Sequence, residues 1–268
     1  MKPILKWVGN KSQILNEIEE LVPENKEKYF EPFVGGGSVF FHLTKKRDYS
    51  YTCISDINDK LIITYKEIKE RPYNLIEELK KMKKNYDRKN FRTQKGIYQR
   101  TRKSFNESND NFEIASKMIF LNQLCFGGLY RTNSSGELNT AFLRKLIVDF
   151  DYENLLKASK TLKKTNIFCC DYKNILKCID KDSFVFLDPP YYKAFDNYYY
   201  NSFDGKNLTE MFDFCCKIDD IGANFVLCNI KSKKVKNVFG ERFDMNTVIL
   251  DRKIRGQQKI REFLIYNK

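Results

Sequence analysis

The sequence predicts an α/β protein with a sheet of about seven mostly parallel strands and a helical insertion. Two observations support this prediction. Strand-like apolar runs alternate with helical patterns near both ends of the chain, and the alternation stops between about residues 66 and 145. With 268 residues, the chain is long enough to form one or two domains with a substantial core.

Helices and strands alternate over the first 65 residues. Ile14, Leu15, Ile18 and Leu21 share one face of a helix, and the strand that ends at Asp56 follows a run of glycines and a second helical pattern. This alternation is typical of a parallel sheet with helical crossovers. The predicted elements are a helix at 11–21, a strand at 29–34, a helix from 38–43, a strand at 51–55 and a helix around 61–65.

The middle and last parts of the chain differ in pattern. Residues 66–145 are basic, rich in Asn and helical in pattern, and near their end Ser134-Ser135-Gly136 indicates a turn, plausible as a hairpin. We interpret this block as an insertion. Strand patterns then resume at residues 166–170, 183–187, 223–229, 247–250 and 262–266.

The net charge of +13 indicates a polyanionic partner, of which nucleic acid is the leading candidate. Residues 66–103 contain 14 Lys and Arg against 5 Asp and Glu, a balance of +9. A solvated helical face is the alternative interpretation of this run. Charge alone does not choose between DNA and RNA.

The chain has the features of a cytoplasmic protein. No apolar stretch approaches the length of a transmembrane helix, and the N-terminus lacks the features of a signal peptide. The eight cysteines form no C-x-x-C pair, which fits neither a disulfide scaffold nor a zinc ribbon. We therefore expect reduced thiols in a cytoplasm.

Two features point to a nucleoside-containing ligand. Residues 31–37 read E-P-F-V-G-G-G, and glycines before a helix allow close approach of a ligand, although a tight turn requires the same residues. Asp56 follows about 20 residues later at a strand end, where a carboxylate can accept hydrogen bonds from ribose hydroxyls. An ordinary helix cap is the alternative role for Asp56.

A third feature is the tetrapeptide Asp188-Pro189-Pro190-Tyr191, directly after an apolar strand. The prolines fix the backbone and carry no N–H groups, so the Asp188 carboxylate and the Pro189 carbonyl are available as acceptors. This pair can hold an exocyclic amine by both hydrogens, and the Tyr191 ring offers a face for stacking of a planar base. A rigid turn that closes the strand is the alternative.

In combination, these motifs resemble the Dam-like (D12 class) DNA adenine-N6 methyltransferases. The resemblance covers nearly the whole chain in order: K-W-x-G-x-K at residues 6–11, E-P-F-V-G-G-G at 31–37, Asp56, D-P-P-Y at 188–191 and E-F-L-I-Y-N at 262–267. It implies a class I S-adenosylmethionine-dependent methyltransferase sheet. The catalytic domain would comprise residues 1–65 and 146–268, with a target-recognition domain at 66–145.

The resemblance also implies the cofactor, S-adenosylmethionine, and the residues that contact it. Asp56 would bind the cofactor ribose, Asp171 would lie near its adenine ring, and Asp188 would serve both the cofactor and the target amine. The implied cofactor contacts are Trp7, Lys11, Phe33, Gly35, Asp56, Asp171 and Asp188.

The resemblance implies double-stranded DNA as the partner. It also implies a cognate restriction endonuclease that does not bind to this protein. Residues 131–142 resemble the recognition hairpin of the family, but Leu138 replaces its common Phe and Ala141 its Pro, so the recognised sequence stays open. Asn10 stands where the family usually has Gly. The implied DNA contacts are Arg131, Asn133, Asn139, Arg252 and Arg255.

The implied reaction is methyl transfer to N6 of an adenine that is flipped out of the duplex. Asp188 and the Pro189 carbonyl would accept the amine hydrogens, Pro190 would fix the turn, and Tyr191 would stack on the base. No metal is needed. The alternatives are an RNA adenine or N4-cytosine methyltransferase and a non-catalytic DNA-binding relative. A dinucleotide-dependent oxidoreductase is weakened by the absence of G-x-G-x-x-G.

Overall fold

The structure is a computed structural model that describes residues 1–191, 205–252 and 258–268. The described residues contain one seven-stranded sheet with the order β3-β2-β1-β4-β5-β7-β6, which confirms the predicted α/β fold. Strands β1, β2, β4 and β5 pair in parallel, whereas β7 pairs antiparallel with both β5 and β6. The aromatic segment from Tyr198 to Phe203, for which the sequence suggests either a cover over a flipped-out base or an ordinary surface loop, lies outside the described residues.

The strands lie close to the positions that the sequence predicts. The central strand has the predicted bounds, because five consecutive buried apolar or small residues are flanked by Asp182 and Asp188. The strands are β1 Lys28–Glu31, β2 Tyr51–Asp56, β3 Asn166–Cys169, β4 Ser183–Leu187, β5 Asn224–Ile230, β6 Asp244–Arg252 and β7 Gln258–Tyr266.

The helices include the predicted helical insertion between β2 and β3. The first helix is shorter than the predicted 11–21, because residues 11–14 form a turn in which Ile14 N–H donates to the Lys11 carbonyl. The helices are α1 Leu15–Glu19, α2 Ser38–Lys46, α3 Asp59–Glu70, α4 Pro72–Tyr86, α5 Phe91–Glu107, α6 Asn111–Leu124, α7 Tyr152–Lys163, α8 Gly205–Asp220 and α9 Lys233–Phe239. None of the helices in the described part of the chain is both long and apolar enough to cross a bilayer.

The chain forms two compact units. The first comprises Met1–Asn10, Gly35–Phe41 and Asn58–Cys169. Its centre is α6, which is apolar on nearly all sides and contacts α3, α4 and α5. A helix that is apolar all round is stable only when neighbours cover it. This unit therefore has a core of its own.

The second unit comprises Lys11–Val34, His42–Ile57 and Cys170–Lys268. Its core lies on β4 and β5, where side chains of alternating residues pack against α8 and α9. His42 is hydrogen-bonded within this unit: its Nε2 lies 2.6 Å from Oε2 of Glu19.

Candidate active site and recognition hairpin

Asp188 lies directly after β4, the central strand of the sheet. All five residues of β4 are buried, and the strand places the carboxylate at the carboxyl end of the sheet, the edge where open α/β sheets bind ligands. Pro189 is buried and Pro190 is exposed. Since neither proline has an N–H group, these two residues supply no backbone donor that would compete for the Asp188 carboxylate or the Pro189 carbonyl.

Lys11 is the cation of this site. Its Nζ lies 2.7 Å from Oδ2 of Asp188 and 3.9 Å from Oε2 of Glu262, and only 1% of the residue is exposed. Burial lowers the pKa of Lys11, but the carboxylates raise the pKa above its ordinary value overall, so the ammonium stays charged. Burial raises the pKa of Asp188, and the Lys11 charge opposes that rise.

Tyr191 joins the two carboxylates through its hydroxyl group. The oxygen lies 2.6 Å from Oε2 of Glu262 and 3.2 Å from Oδ1 of Asp188, and the ring centroid lies 5.2 Å from Nζ of Lys11. Burial raises the pKa of Tyr191 well above its usual value, so the hydroxyl keeps its proton. The sequence predicts a stacking role for this ring, and the structure adds a polar role for the hydroxyl.

Glu262 lies in β7, opposite Ile230 of β5 and Val248 of β6. The residue is fully buried. A buried carboxylate requires hydrogen-bonding or charged partners, and here Tyr191 and Lys11 supply them. The carboxyl end of β4 therefore carries one buried cation, two carboxylates and one phenol.

Three predicted cofactor residues lie near the ends of strands in the same unit. Asp56 ends β2, and its backbone carbonyl accepts a hydrogen bond of 3.2 Å from Cys170 N–H, which brings the neighbouring Asp171 to the end of β2. Asp171 caps the short 3-10 helix that begins at Tyr172. The ring of Phe33 packs against the ring of Tyr172 at a centroid distance of 5.2 Å.

The other two predicted cofactor residues, Trp7 and Gly35, lie together in the first unit. Gly35 has a φ of +46°, and a Cβ atom at this position would lie 2.7 Å from Cδ1 of Trp7. The Trp7 ring stacks on Tyr130 at 5.4 Å, and the Tyr65 hydroxyl donates to the Gly35 carbonyl at 2.8 Å. Glycine is therefore required here by a tight turn and by the close approach of a tryptophan.

The predicted hairpin is present in the first unit. Thr132 and Leu138 form an antiparallel bridge, and Asn139 N–H donates to the Arg131 carbonyl at 2.9 Å. The Asn133 side-chain oxygen accepts hydrogen bonds from two backbone N–H groups of the turn. The hairpin is thus built by its own Asn side chain and by a single bridge, with no extended ladder.

The predicted DNA-binding residues differ in their surroundings. Arg131 is exposed, whereas the Asn133 side chain is used by the turn. Within the described ranges, Oδ1 of Asn139 is buried without a hydrogen-bond partner. Arg252 ends β6 with a side chain that is not described, and Arg255 lies outside the described residues.

Helix α5 supports the second half of the hairpin. The Asn106 side chain hydrogen-bonds both the carbonyl and the N–H group of Leu138. Its Nδ2 donates to the Leu138 carbonyl at 3.1 Å, and its Oδ1 accepts from Leu138 N–H at 2.9 Å. The Tyr98 hydroxyl and the Arg102 guanidinium donate to the Thr140 carbonyl at 2.7 Å and 3.1 Å. The sequence analysis did not identify these supporting residues.

Comparison with known families decides the family of this chain. The model of the family described as D12 class N6 adenine-specific DNA methyltransferase matches residues 7–254, nearly the whole chain. The chain belongs to this family.

Individual relatives of this methyltransferase agree. The type II methyltransferase M.MjaIII of Methanocaldococcus jannaschii is 37% identical over 286 aligned residues, which cover 100% of this chain and 99% of the relative. The type II methyltransferase M1.LlaDCHI of Lactococcus lactis subsp. cremoris is 28% identical, with 100% and 95% covered. The DNA adenine methylase of Haemophilus influenzae is 32% identical, with 71% and 64% covered.

Sequence reasoning missed two features of the methyltransferase. The sequence analysis treated Glu262 only as part of a predicted strand. An acidic residue in a buried strand indicates that a polar partner lies nearby, because a buried carboxylate requires one. Ile57, directly after Asp56, is 75% exposed, which is a large exposed fraction for an apolar residue at a strand end. Among the described residues, no group of three His, Cys, Asp or Glu side chains is arranged to hold a metal ion.

Proposed function

We propose that this methyltransferase transfers a methyl group from S-adenosylmethionine to N6 of an adenine in a specific duplex sequence, with Asp188 as the acceptor for the target amine. The observation that carries this proposal is the arrangement of buried Lys11 with half-buried Asp188 and Tyr191 at the carboxyl end of β4. Lys11 holds one oxygen of the carboxylate, and the other oxygen faces a neutral hydroxyl.

The chemistry requires an acceptor pair because the N6 lone pair of adenine is delocalised into the ring. When Asp188 and the Pro189 carbonyl accept the two N–H bonds, the nitrogen moves toward tetrahedral geometry and its lone pair becomes available. S-adenosylmethionine supplies the electrophilic methyl group when it is bound. The protein contributes positioning and electrostatic stabilisation, which are large terms in enzymatic rate enhancement.

The target adenine must leave the duplex before its amine can reach Asp188. Flipping a base costs a few kcal/mol, and stacking on an aromatic ring offsets part of this cost. The Tyr191 ring would provide that stacking surface, and Pro190 would keep the turn rigid while the base is bound.

The residues present suit an adenosine-containing methyl donor. Asp56 and Asp171 are carboxylates that can accept hydrogen bonds from hydroxyl or amino groups, and exposed Ile57 offers an apolar surface beside Asp56 for a planar base. The proposed contacts are Trp7, Lys11, Phe33, Gly35, Asp56, Asp171 and Asp188.

Residues 66–145 are proposed to recognise the DNA target, and residues 1–65 and 146–268 to carry the catalytic domain. Arg131 is the leading base-reading residue because it is exposed on the hairpin. Asn133, Asn139, Arg252 and Arg255 complete the proposed set of DNA contacts. Phosphate contacts from the basic insertion would make binding strongly dependent on salt.

The names of the type II relatives support a role in a restriction-modification pair. We propose that a restriction endonuclease of the same sequence specificity accompanies this methyltransferase without binding to it, and that the protein acts in the cytoplasm.

The experiment measures methyl transfer from labelled S-adenosylmethionine to duplex DNA, followed by nucleoside analysis. The control for Asp188→Ala is Asp180→Ala. Asp180 precedes the first residue of β4, and its carboxylate is ion-paired with Lys28. We expect label in N6-methyladenine for the wild type and Asp180→Ala, and a loss of about 10²–10³-fold or more for Asp188→Ala.

Three results would contradict the proposal. Label in cytosine or only in RNA would assign a different substrate. Cofactor binding without any transfer would favour the non-catalytic DNA-binding alternative, since a bound cofactor would still raise the melting temperature. Equal activity of the two Asp variants would remove Asp188 from the reaction.

A further inference from the structure

The Tyr191 hydroxyl has one hydrogen, and two carboxylates among the described residues lie within hydrogen-bond reach of it. Glu262 Oε2 lies at 2.6 Å and Asp188 Oδ1 at 3.2 Å. A hydroxyl hydrogen points at one acceptor at a time, and the shorter contact is the stronger hydrogen bond. Tyr191 therefore donates to Glu262 in the arrangement seen here.

The acceptor of the Tyr191 hydrogen bond matters because Asp188 is proposed to accept a hydrogen bond from the target amine. Its Oδ2 is engaged by the Lys11 ammonium at 2.7 Å, so the oxygen left for a target amine is Oδ1. If Tyr191 donated to Oδ1, the hydroxyl would compete with the incoming N–H for the same oxygen.

We infer that Glu262 is a positioning residue that holds the Tyr191 hydroxyl hydrogen away from Asp188 and so keeps Oδ1 of Asp188 available to the target amine. This inference rests on the proposed function of Asp188. Glu262 does not contact the reacting atoms in this account; it acts only through Tyr191.

The surroundings of Glu262 fit this role. The residue is fully buried in β7, a strand that is paired on both sides, so its backbone is fixed. Lys11 Nζ lies 3.9 Å from the same Oε2 atom as an ion-pair partner, and a carboxylate accepts hydrogen bonds but does not donate them. An uncharged amide here would bind the hydroxyl less strongly and could present its NH₂ group, which would turn the hydroxyl hydrogen toward Asp188.

The test is a double-mutant cycle of Glu262→Gln and Tyr191→Phe, with kcat and the KM for S-adenosylmethionine measured for each variant. In the Tyr191 background we expect Glu262→Gln to lower kcat about tenfold or more, the size of one hydrogen bond to a charged group, with little change in KM. Without the Tyr191 hydroxyl there is no competing donor, so the same substitution should change kcat less than about threefold on the Phe background.

A control separates this role from loss of structure. Glu67→Gln makes the same exchange at a buried carboxylate in the first unit, where Oε2 lies 2.6 Å from Nε of Arg71. The melting temperature of each variant and its Kd for S-adenosylhomocysteine report whether the fold is kept. We expect Glu67→Gln to retain wild-type kcat.

The outcomes are distinct. Equal kcat losses from Glu262→Gln in the two backgrounds, or no loss in either, would overturn the inference while leaving methyl transfer by the wild type intact. A wild type that methylates no adenine would instead contradict the proposed function.

Discussion

The proposed catalytic cluster of Lys11, Asp188, Tyr191 and Glu262 and the proposed recognition hairpin at residues 131–142 hold their functional groups in opposite ways. In the cluster, Lys11 and Glu262 are buried, and the contacts are made between charged side chains. In the hairpin, Arg131 is exposed, and the loop is held by hydrogen bonds to its backbone from Asn106 and Asn133. Buried charged groups hold one geometry strongly. A loop that is held through its backbone can instead tolerate substitution of its exposed side chains. Chemistry and sequence preference can therefore change independently.

The largest expected effect tests the buried side of this comparison. Lys11→Met removes the cation and leaves half-buried Asp188 and buried Glu262 without it. Breaking a buried ion pair in this way destabilises a protein by about 3–5 kcal/mol, which denaturant unfolding measures. The control is Lys28→Met, because the Lys28–Asp180 pair is partly exposed and such pairs contribute about 0–1 kcal/mol. Similar losses for the two variants would contradict the comparison.

The second-largest expected effect tests the exposed residue of the hairpin, Arg131. If Arg131 reads a guanine by two hydrogen bonds, Arg131→Ala should cost about 1–3 kcal/mol in discrimination at one base pair and leave kcat on the preferred sequence nearly unchanged. Methylation of duplexes that differ at single positions measures this. Arg242→Ala, which removes an equal charge from an Arg paired with Asp219, is the control. An unchanged sequence preference in Arg131→Ala would argue against this role.

A smaller effect is expected when the support of the hairpin is removed. Asn106→Ala deletes both hydrogen bonds to the Leu138 backbone, and we expect discrimination to fall about fivefold, or roughly 1 kcal/mol. The same single-position duplexes measure it, with Asn85→Ala at an exposed position of α4 as the control. If discrimination in the two variants is equal, the hairpin does not depend on α5.

The smallest effect concerns Lys145 in the first unit. Burial and then the charge of Lys6 lower the pKa of Lys145 to about 8. The unfolded chain keeps this proton up to a higher pH, so the contribution of Lys145 to the free energy of unfolding increases as pH rises from about 8 toward 10.5. Lys145→Met should therefore raise the melting temperature at pH 7 by roughly 2 °C, and the gain should shrink by pH 10. A gain that is independent of pH would rule out this cause.

The fold was largely predictable from the sequence. Strand β4 was predicted with its observed bounds, because an apolar run this short between two aspartates has the length of a strand and is too short for a typical helix. The first helix was predicted too long, since apolar spacing does not reveal that residues 11–14 form a turn.

The site was predictable only where a local motif carries it. The motif at 188–191 identified Asp188 and Tyr191, but the contact between Lys11 and Asp188 joins residues 177 positions apart. Glu262 and Asn106 act through side-chain hydrogen bonds that tertiary packing creates, and no periodicity reports such bonds. Family resemblance named Lys11 as a cofactor contact, which stays a prediction, and the structure adds its ion pair with the carboxylate of Asp188.

The most direct test of the account measures kcat/KM and kcat for Asp188→Asn and Arg131→Ala on the preferred duplex and on duplexes with one altered base pair. The account predicts that Asp188→Asn lowers kcat by a similar factor on every duplex and leaves the ranking of sequences unchanged. It predicts that Arg131→Ala alters the ranking and largely preserves kcat on the preferred sequence. A changed ranking in Asp188→Asn, or a uniform loss in Arg131→Ala, would contradict the division of chemistry and recognition between these two regions.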